Sequence, residues 1–433
     1  MLSTSALLTD RYELTMLQAA LQSGKAHRRA VFEVFSRNLA GGRRYGVFAG
    51  TGRLLELIRD FQFTDQELNW LLRENIVDQP TADWLSSYKF SGNIFGYAEG
   101  EVYFPYSPVL IVEATFAEAV ILETLILSVL NYDSAVASAA SRMVTAAGPR
   151  SVSEMGSRRT GESSAVAAAR ASYIAGFSAT SNLEAGRSFG IPTMGTASHA
   201  FTLLHETEKQ AFEAQLEAFG ENTTFLVDTY NIETGIENAI SVAGTKLAGV
   251  RIDSGDLPIE VAKARALLDK LGAHDTKITV TNDLNEFAIA ALAAAPVDAY
   301  GVGTSVVTGS TVPAAGFVYK MVAYENDEGD WHAVSKQSAQ KTNLGGRKHA
   351  VRRHDENRVA IAEQISYQVP EVTNAKDREL LVPLIQGGQL HAGLTGKSGV
   401  ESARLHHTLA KQALPSSALR LTKGDPAIPT KFV

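Results

Sequence analysis

The stretch Val250-Arg251-Ile252-Asp253-Ser254-Gly255-Asp256 is an apolar run that leads at once into charged and polar side chains. Its apolar residues predict a buried β-strand, and the glycine predicts a turn where the strand ends. A guanidinium and two carboxylates at the end of a buried strand are costly to bury without partners. Catalytic side chains of α/β barrels stand at this position. The stretch therefore indicates an α/β fold with a functional site at its strand ends.

Other apolar segments between residues 150 and 305 end in small or polar residues in the same way. With the opening stretch they give the predicted strands 151–159, 176–182, 192–199, 223–228, 247–253, 277–283 and 298–304. Helical patterns lie between several of them, and this alternation predicts parallel strands with helices outside. Because about seven strands are fewer than the eight of a regular barrel, we expect an irregular or open α/β barrel.

The chain has 433 residues, which is long for a single core. We expect an N-terminal α+β domain at 1–125 and the barrel at 126–315. After residue 315 the pattern changes, and residues 316–324 and 331–335 predict a hairpin. The C-terminal region 316–433 is expected to pack on the N-terminal domain, so that both chain ends complete one α+β domain.

Composition excludes several classes of protein. The net charge of −7 argues against a general nucleic-acid binder, and the absence of cysteine excludes disulfides and thiolate metal sites. The most apolar window, 110–130, contains Glu113, Glu118 and Glu123, which are too costly for a membrane helix. We therefore expect a buried strand followed by a core helix there, no membrane partner and a cytoplasmic location.

His199 follows a small, hydroxyl-rich run at the end of a predicted strand. Taken alone, it fits a histidine that caps the next helix. The alternative is a nucleophile or general base, because imidazole attacks phosphorus and forms a labile phosphoramidate. A carboxylate on its other ring nitrogen would orient it.

Arg251, Asp253 and Asp256 allow a structural and a functional interpretation. The two aspartates fit caps of the helix around Pro258, and all three fit an ion-pair network. Three charges exceed what one cap needs, however, so we favour function here. Arginine suits a planar carboxylate, and acidic side chains suit a sugar diol or Mg²⁺.

Glycines and further cations mark other strand ends. Gly303 and Thr304 lie in a glycine-rich turn at the end of the last predicted strand, and barrels often bind phosphate at the loops after their final strands. Arg158 and Arg159 end the first strand, and since neighbouring strand residues face opposite ways we expect at most one of them to face the site. Asp228 is a candidate hydrogen-bond acceptor. The combination fits an enzyme acting on a phosphorylated sugar and a small anionic partner.

With these residues the chain resembles the nicotinate phosphoribosyltransferase family. The matching runs, in the family's order, are TDRYELTM (9–16), EMGSRR (154–159), GFSATSN (176–182), GTASH (195–199), VDTY (227–230), RIDSGD (251–256), GVGTS (301–305) and VYK (318–320). The resemblance implies an irregular α/β barrel joined to a domain built from both chain ends. It also implies ATP-coupled formation of nicotinate mononucleotide and pyrophosphate from nicotinate and phosphoribosyl pyrophosphate, in NAD salvage.

The resemblance also implies roles for particular residues. It implies a nicotinate site of Tyr12, Thr196 and Arg251, with the tyrosine stacked on the pyridine ring, and His199 as the residue phosphorylated by ATP. For phosphoribosyl pyrophosphate it implies contacts from a larger set, namely Thr304, Gly303, Arg158, Asp253 and Asp256. Mg²⁺ is expected to bind through pyrophosphate, with Asp253 or Asp256 as possible ligands.

The resemblance further implies a homodimer in which Tyr12 reaches the partner's site. Three alternatives stay open at this point. One is a phosphoribosyltransferase for nicotinamide, which lacks the carboxylate, or for quinolinate, which has a second one. Another is a non-catalytic sensor of NAD precursors on the same fold. The third is a barrel enzyme of unrelated chemistry, although no predicted strand end offers the lysine that a Schiff-base aldolase needs.

Overall fold

The computed structural model describes residues 4–336, 344–370 and 375–433. The helices are α1 (Arg11–Gln22), α2 (Thr51–Arg59), α3 (Asp65–Arg73), α4 (Gln79–Ser86), α5 (Phe116–Val120), α6 (Glu123–Ala147), α7 (Glu162–Ile174), α8 (Leu183–Phe189), α9 (His199–Leu203), α10 (Glu208–Phe219), α11 (Ile232–Ala243), α12 (Leu257–Lys270), α13 (Glu286–Ala291), α14 (Thr304–Val307) and α15 (Gly396–Gln412). Short 3₁₀ turns lie at Ala40–Gly42, Ser157–Arg159, Gly244–Lys246 and Ser416–Leu419.

The strands are β1 (Arg29–Ser36), β2 (Gly46–Val47), β3 (Asn93–Tyr97), β4 (Val102–Tyr103), β5 (Leu110–Thr115), β6 (Ser151–Glu154), β7 (Ala179–Thr180), β8 (Thr224–Leu226), β9 (Gly249–Ile252), β10 (Lys277–Val280), β11 (Ala299–Val302), β12 (Phe317–Glu325), β13 (Trp331–Ala333), β14 (His349–His354), β15 (Ala360–Ser366), β16 (Arg378–Glu379), β17 (Leu381–Gln386), β18 (Gln389–Leu390) and β19 (Thr430–Phe432).

The chain folds into two compact units. The first unit comprises Met1–Ser138 and Val312–Val433, and the second comprises Ala139–Thr311. The expected boundary at 125/126 falls inside α6, which continues without a break because no glycine or proline interrupts it. The division between the units falls later in the same helix.

The second unit is built on a parallel sheet. Its strand order is β7-β6-β11-β10-β9-β8, so the first and last strands of the set pair with each other, at β6 and β11. This is the cyclic order of an α/β barrel opened between β7 and β8. Helices follow most of the strands, as the β-then-α pattern predicts, and the mixed α/β fold class is confirmed.

The sequence prediction of strand 192–199 is wrong. Only Thr193 makes a bridge there, to Thr180 of β7. From residue 195 to 198 no backbone N–H donates a hydrogen bond to any part of the chain that the structure describes. Small residues such as Gly195 and Ala197 offer little apolar surface to pack on a sheet, so this segment crosses the opening as irregular chain.

The first unit is built from both chain ends, as expected. Its large antiparallel sheet has the order β13-β12-β1-β5-β3-β17-β18, which places β1 between β12 and β5. The predicted hairpin of the C-terminal region is confirmed as β12 and β13. A smaller sheet, β16-β14-β15-β19, contains the buried ion pair between Arg352 and Glu363, whose atoms lie 2.6 Å apart.

One helical stretch, Phe116–Ala147, is long and apolar enough to cross a membrane by length and composition. Of its most apolar window, 67% is buried inside the protein. A mostly buried helix of this kind is what the core of a soluble protein also contains. The sequence predicted this arrangement, because β5 is followed by α5 and then by α6.

Candidate active site

A cavity of about 430 Å³ lies at the strand ends of the second unit. We call it the strand-end cavity. Its lining comes from six segments of the chain and consists of Met155, Ser157, Arg158, Arg159, Ser181, Met194, Gly195, Thr196, Ala197, Ser198, Arg251, Asp253, Thr281, Asn282, Asp283, Gly301, Gly303 and Thr304. Six residues predicted for the site therefore share one cavity: Arg158, Thr196, Arg251, Asp253, Gly303 and Thr304.

Arg251 is the third residue of β9, and its side chain is 15% exposed. One terminal nitrogen donates to the hydroxyl of Thr196. Its Nε is buried without a hydrogen-bond partner among the residues described. Burial lowers the pKa of the guanidinium, while the carboxylates of Asp253 and Asp228 oppose this shift. A guanidinium stays charged in proteins, so Arg251 presents a partly unsatisfied cation to the cavity.

Arg158 and Arg159 both line the cavity, which corrects the expectation that at most one would face it. The strand β6 ends at Glu154, and Ser157–Arg159 is a 3₁₀ turn. Side chains do not alternate between two faces in such a turn, so the rule for strands does not apply. Neither guanidinium forms a hydrogen bond or ion pair with the described part of the chain, and both suit an anionic ligand.

Gly303 and Thr304 lie directly after β11, where α14 begins. A Cβ atom on Gly303 would approach the carbonyl oxygen of Met155 to 3.2 Å. The backbone N–H groups in the first turn of a helix have no partner within it and point toward an approaching anion. This loop therefore has the geometry of a phosphate cradle.

His199 is the first residue of α9 and stands beside the cavity. Its Nδ1 lies 3.1 Å from the Thr229 hydroxyl. Its Nε2 lies 3.8 Å from Oδ1 of Asp228 and 4.0 Å from Oδ2 of Asp253. The imidazole is 41% exposed, so one nitrogen faces carboxylates while part of the ring remains open to a ligand.

Asp228 is a central residue of the site, and sequence reasoning gave it only a general role. Its Oδ2 accepts hydrogen bonds from the Asp253 backbone N–H at 2.9 Å and from the Ser254 hydroxyl at 2.6 Å. Its Oδ1 is buried and has no hydrogen-bond partner among the described residues. That free oxygen faces His199, so Asp228 links the β9 loop to the imidazole.

Asn282 and Asp283 follow β10 and both have left-handed backbone conformations, with φ of 95° and 43°. Two consecutive non-glycine residues in this region store strain, which persists mainly at functional sites. Successive N–H groups in such turns can together hold an anion. Thr281, just before them, donates its hydroxyl hydrogen to Asp253.

The remaining predicted residues lie elsewhere. Asp256 is exposed at the N-cap position of α12 and is not among the residues that line the cavity. Tyr12 belongs to the first unit, on α1, with 45% of its surface exposed. Burial and the carboxylates of Glu123, Glu13 and Asp10 raise the pKa of its phenol well above the usual value.

The described residues contain no cluster of three or more His, Asp or Glu side chains that could hold a metal ion. A carboxylate such as Asp253, beside a cavity for phosphates, instead fits Mg²⁺ held jointly by protein and ligand oxygens. The donor set is therefore compatible with a metal that enters with its substrate.

Comparisons with known proteins identify the family of the chain. Residues 7–131 match the family model of the nicotinate phosphoribosyltransferase N-terminal domain. Nicotinate phosphoribosyltransferase pncB1 of Mycobacterium tuberculosis is 51% identical, over 99% of this chain and 95% of the relative. The enzyme of Bacillus subtilis is 38% identical, over 74% of this chain and 67% of the relative.

Among solved structures, human nicotinic acid phosphoribosyltransferase matches with a TM-score of 0.83, covering 98% of this chain and 97% of the human one. Its 24% identity shows the fold alone. The full-length similarity to the mycobacterial enzyme shows more. This chain is an enzyme that belongs to the nicotinate phosphoribosyltransferase family.

Proposed function

We propose that the protein transfers the phosphoribosyl group of phosphoribosyl pyrophosphate to nicotinate, coupled to ATP through a phosphohistidine, in NAD salvage. The observation that carries this proposal is the half-satisfied guanidinium of Arg251, in one cavity with two unpaired arginines and a phosphate cradle. The cavity is lined by three guanidinium groups and by two carboxylates, those of Asp253 and Asp283, so its positive charges outnumber its negative ones. A site of this charge favours substrates that bring a carboxylate and several phosphates.

Arg251 would hold the carboxylate of nicotinate, with the Thr196 hydroxyl beside it. The pyridine nitrogen then attacks C1 of the ribose. A bond forms between this nitrogen and C1, while the bond from C1 to the pyrophosphate oxygen breaks and its electrons leave with pyrophosphate. Positive charge develops on the sugar as the bond breaks, and Asp253 is placed to stabilise it. Arg158 and Arg159 would stabilise the negative charge on the leaving group.

ATP would act through His199. With Nε2 and its proton facing Asp228, the lone pair lies on Nδ1, and the Thr229 hydroxyl can donate to it until the phosphate arrives. Nδ1 attacks the γ-phosphorus of ATP, and the bond to the bridging oxygen breaks as ADP leaves. The buried carboxylate of Asp228 would stabilise the charged ring that results. Hydrolysis of the phosphohistidine later returns the imidazole and phosphate.

Mg²⁺, when bound with pyrophosphate, would neutralise charge that develops on the leaving oxygens. Asp253, in the cavity wall, would contact it. In this chain the position of Asp253 is set by its own neighbours, because its backbone N–H donates to Asp228 and its side chain accepts from Thr281.

Replacing Asp228 with asparagine tests the orienting role. We expect Asp228→Asn to slow phosphorylation of the enzyme by ATP about 100-fold, because a neutral amide no longer stabilises the charged imidazole. Rapid-quench measurement of labelled phosphate transferred from ATP gives this rate. The exposed Asp269→Asn on α12 is the matched control and should leave it unchanged. Equal rates in Asp228→Asn and wild type would contradict the role.

Tyr12 provides a test of the proposed homodimer with shared sites. Tyr12→Ala and His199→Ala should each be impaired alone. If Tyr12 completes the site of its partner, each mixed dimer contains one intact site and one that lacks both side chains. Because about half of the dimers in an equal mixture are mixed, we expect about a quarter of the ATP-coupled activity of wild type. Recovery is measured after dissociation and reassociation of the subunits. Activity no higher than the mean of the two variants would refute sharing.

Product analysis tests the function itself. The enzyme is incubated with phosphoribosyl pyrophosphate and either nicotinate, nicotinamide or quinolinate, with and without ATP. We expect nicotinate mononucleotide and pyrophosphate from nicotinate only, with ATP lowering the concentration of substrates required. Preference for another base, or binding of nicotinate without turnover, would replace the proposed function.

A further inference from the structure

We propose that Glu154, Ser157, Thr180 and Asn182 form a brace that holds the Ser157–Arg159 turn so that Arg158 and Arg159 both face the cavity. The four side chains would be positioning residues for the pyrophosphate group of the substrate. This inference rests on the proposed function, since it assigns the two guanidinium groups to that part of phosphoribosyl pyrophosphate.

The brace is a continuous set of hydrogen bonds between the loops after β6 and β7. Glu154 accepts from the Gly156 backbone N–H through Oε1 and from the Thr180 hydroxyl through Oε2, the latter at 2.6 Å. The Thr180 hydroxyl also accepts from the Asn182 N–H at 3.0 Å. Asn182 then donates its side-chain amide to the Ser157 hydroxyl at 3.0 Å. The network therefore begins at Gly156, just before the Ser157–Arg159 turn, and ends on Ser157 within it.

Three of the four brace residues lie behind the wall of the strand-end cavity. Glu154 and Thr180 are 0% exposed, and neither they nor Asn182 are among the residues that line the strand-end cavity. Burial raises the pKa of Glu154, and the bonds from Thr180 and Gly156 oppose that shift. A carboxylate whose two oxygens each accept a hydrogen bond is a stable anchor in the interior. Ser157 is the member at which the brace meets the cavity wall.

The Ser157–Arg159 turn needs the brace because it makes few hydrogen bonds of its own. Arg159 N–H donates to the Gly156 carbonyl, but the two guanidinium groups make no hydrogen bond or ion pair with the described residues. The charge of Arg158 also disfavours the charge on Arg251. Because these like charges repel one another, a turn held only at its ends would let them separate.

Gly156, which begins the turn, packs closely against the residues around α14. A Cβ atom on Gly156 would lie 2.3 Å from a methyl group of Val307 and 3.0 Å from the Gly303 carbonyl oxygen. The turn is therefore seated against α14 on one side and held by the brace on the other. A turn seated in this way presents its arginines to the phosphate cradle without further ordering when the substrate binds.

A double-mutant cycle across the bond between Ser157 and Asn182 tests the brace. Asn182 also caps α8, since its Oδ1 accepts from the Ala185 N–H at 2.9 Å. Asn182→Ser keeps a capping oxygen but is too short to reach Ser157. Ser157→Ala removes the same bond from the other side. Ser178→Ala is the matched control, because Ser178 lies just before β7 and donates its hydroxyl to the Val152 carbonyl, outside the brace.

We expect each single variant to raise KM for phosphoribosyl pyrophosphate about tenfold, and the double variant to match the singles because all three lose one bond. KM for nicotinate and the melting temperature should stay near wild type. Additive losses in the double variant, an unchanged KM for phosphoribosyl pyrophosphate, or an equal rise for nicotinate would overturn the brace.

Titration calorimetry with inorganic pyrophosphate separates this inference from the proposed function. The brace predicts that wild-type enzyme and Ser178→Ala bind pyrophosphate about tenfold more tightly than Ser157→Ala or Asn182→Ser. This difference in affinity would support the brace even if the wild-type enzyme failed to join nicotinate to the sugar. Such a failure would contradict only the proposed function. Equal affinities in all four proteins would defeat the brace and leave the proposed function intact.

Discussion

Arg251→Gln should lower kcat/KM for nicotinate by about three orders of magnitude, because truncating one partner of a buried charge pair costs about 2–5 kcal/mol. The loss has two physical sources. Glutamine cannot supply the positive charge that the nicotinate carboxylate needs once it leaves water. It also cannot retain the hydrogen bonds that Arg251 donates to the Thr196 hydroxyl and, more weakly, to the Ala197 carbonyl. Steady-state assays with nicotinate varied at saturating phosphoribosyl pyrophosphate measure the effect.

Two comparisons make this result specific to nicotinate. Nicotinamide has no carboxylate, so Arg251→Gln should reduce the preference for nicotinate over nicotinamide toward one. Arg187→Gln changes an exposed arginine on α8 that pairs with Glu184, and it should leave kcat/KM unchanged. An Arg251→Gln enzyme that still prefers nicotinate by the wild-type ratio would show that another group binds the carboxylate.

His199→Ala should abolish the stimulation by ATP while leaving a slow, ATP-independent transfer. On the proposed mechanism, the chemical step at the sugar would use Arg251, Asp253 and the phosphate loops, which the substitution leaves in place. The phosphoryl acceptor is lost, however, because alanine has no ring nitrogen that can form the phosphorus–nitrogen bond of a phosphohistidine. Incubation with labelled ATP should therefore give no labelled protein, and the ratio of rates with and without ATP should fall to about one.

His205→Ala is the matched control for this experiment. His205 is six positions further along the chain, and its Nδ1 bonds the Phe201 carbonyl at 2.8 Å rather than facing the cavity. It should keep both the label and the ATP stimulation. Labelling of His199→Ala to the wild-type level would move the phosphorylation site to another residue.

The sequence predicted the strand ends well because short-range patterns determine them. β9 and its loop follow from one apolar run that leads into charged residues and then into Pro258, in the first turn of α12. Gly303 was expected at a phosphate loop, and it lies at the start of α14. For residues 192–199, small residues such as Gly195 and Ala197 offer a neighbouring strand little apolar surface, so the predicted strand does not form.

Side chains whose roles depend on distant partners were harder to recognise. Glu154 is a lone acid in the sequence, and its partner Thr180 lies 26 positions away. Asp228 contacts the backbone of Asp253 because β8 happens to pair with β9. No single-sequence pattern encodes which strands become neighbours. The rule for strands allowed at most one of Arg158 and Arg159 to face the site, and that rule does not hold in a 3₁₀ turn.

The gap in the parallel sheet gives the candidate site residues two kinds of support. Arg251 lies in a strand that is hydrogen-bonded to a neighbour on each side, whereas residues 195–198, which lead to His199, pair with no strand among the described residues. On the proposed mechanism, His199 would gain and lose a phosphoryl group at the end of this unpaired segment, while the two neighbours of β9 hold Arg251 in place. Phosphorylation of His199 would then displace this segment and leave the strand that carries Arg251 undisturbed.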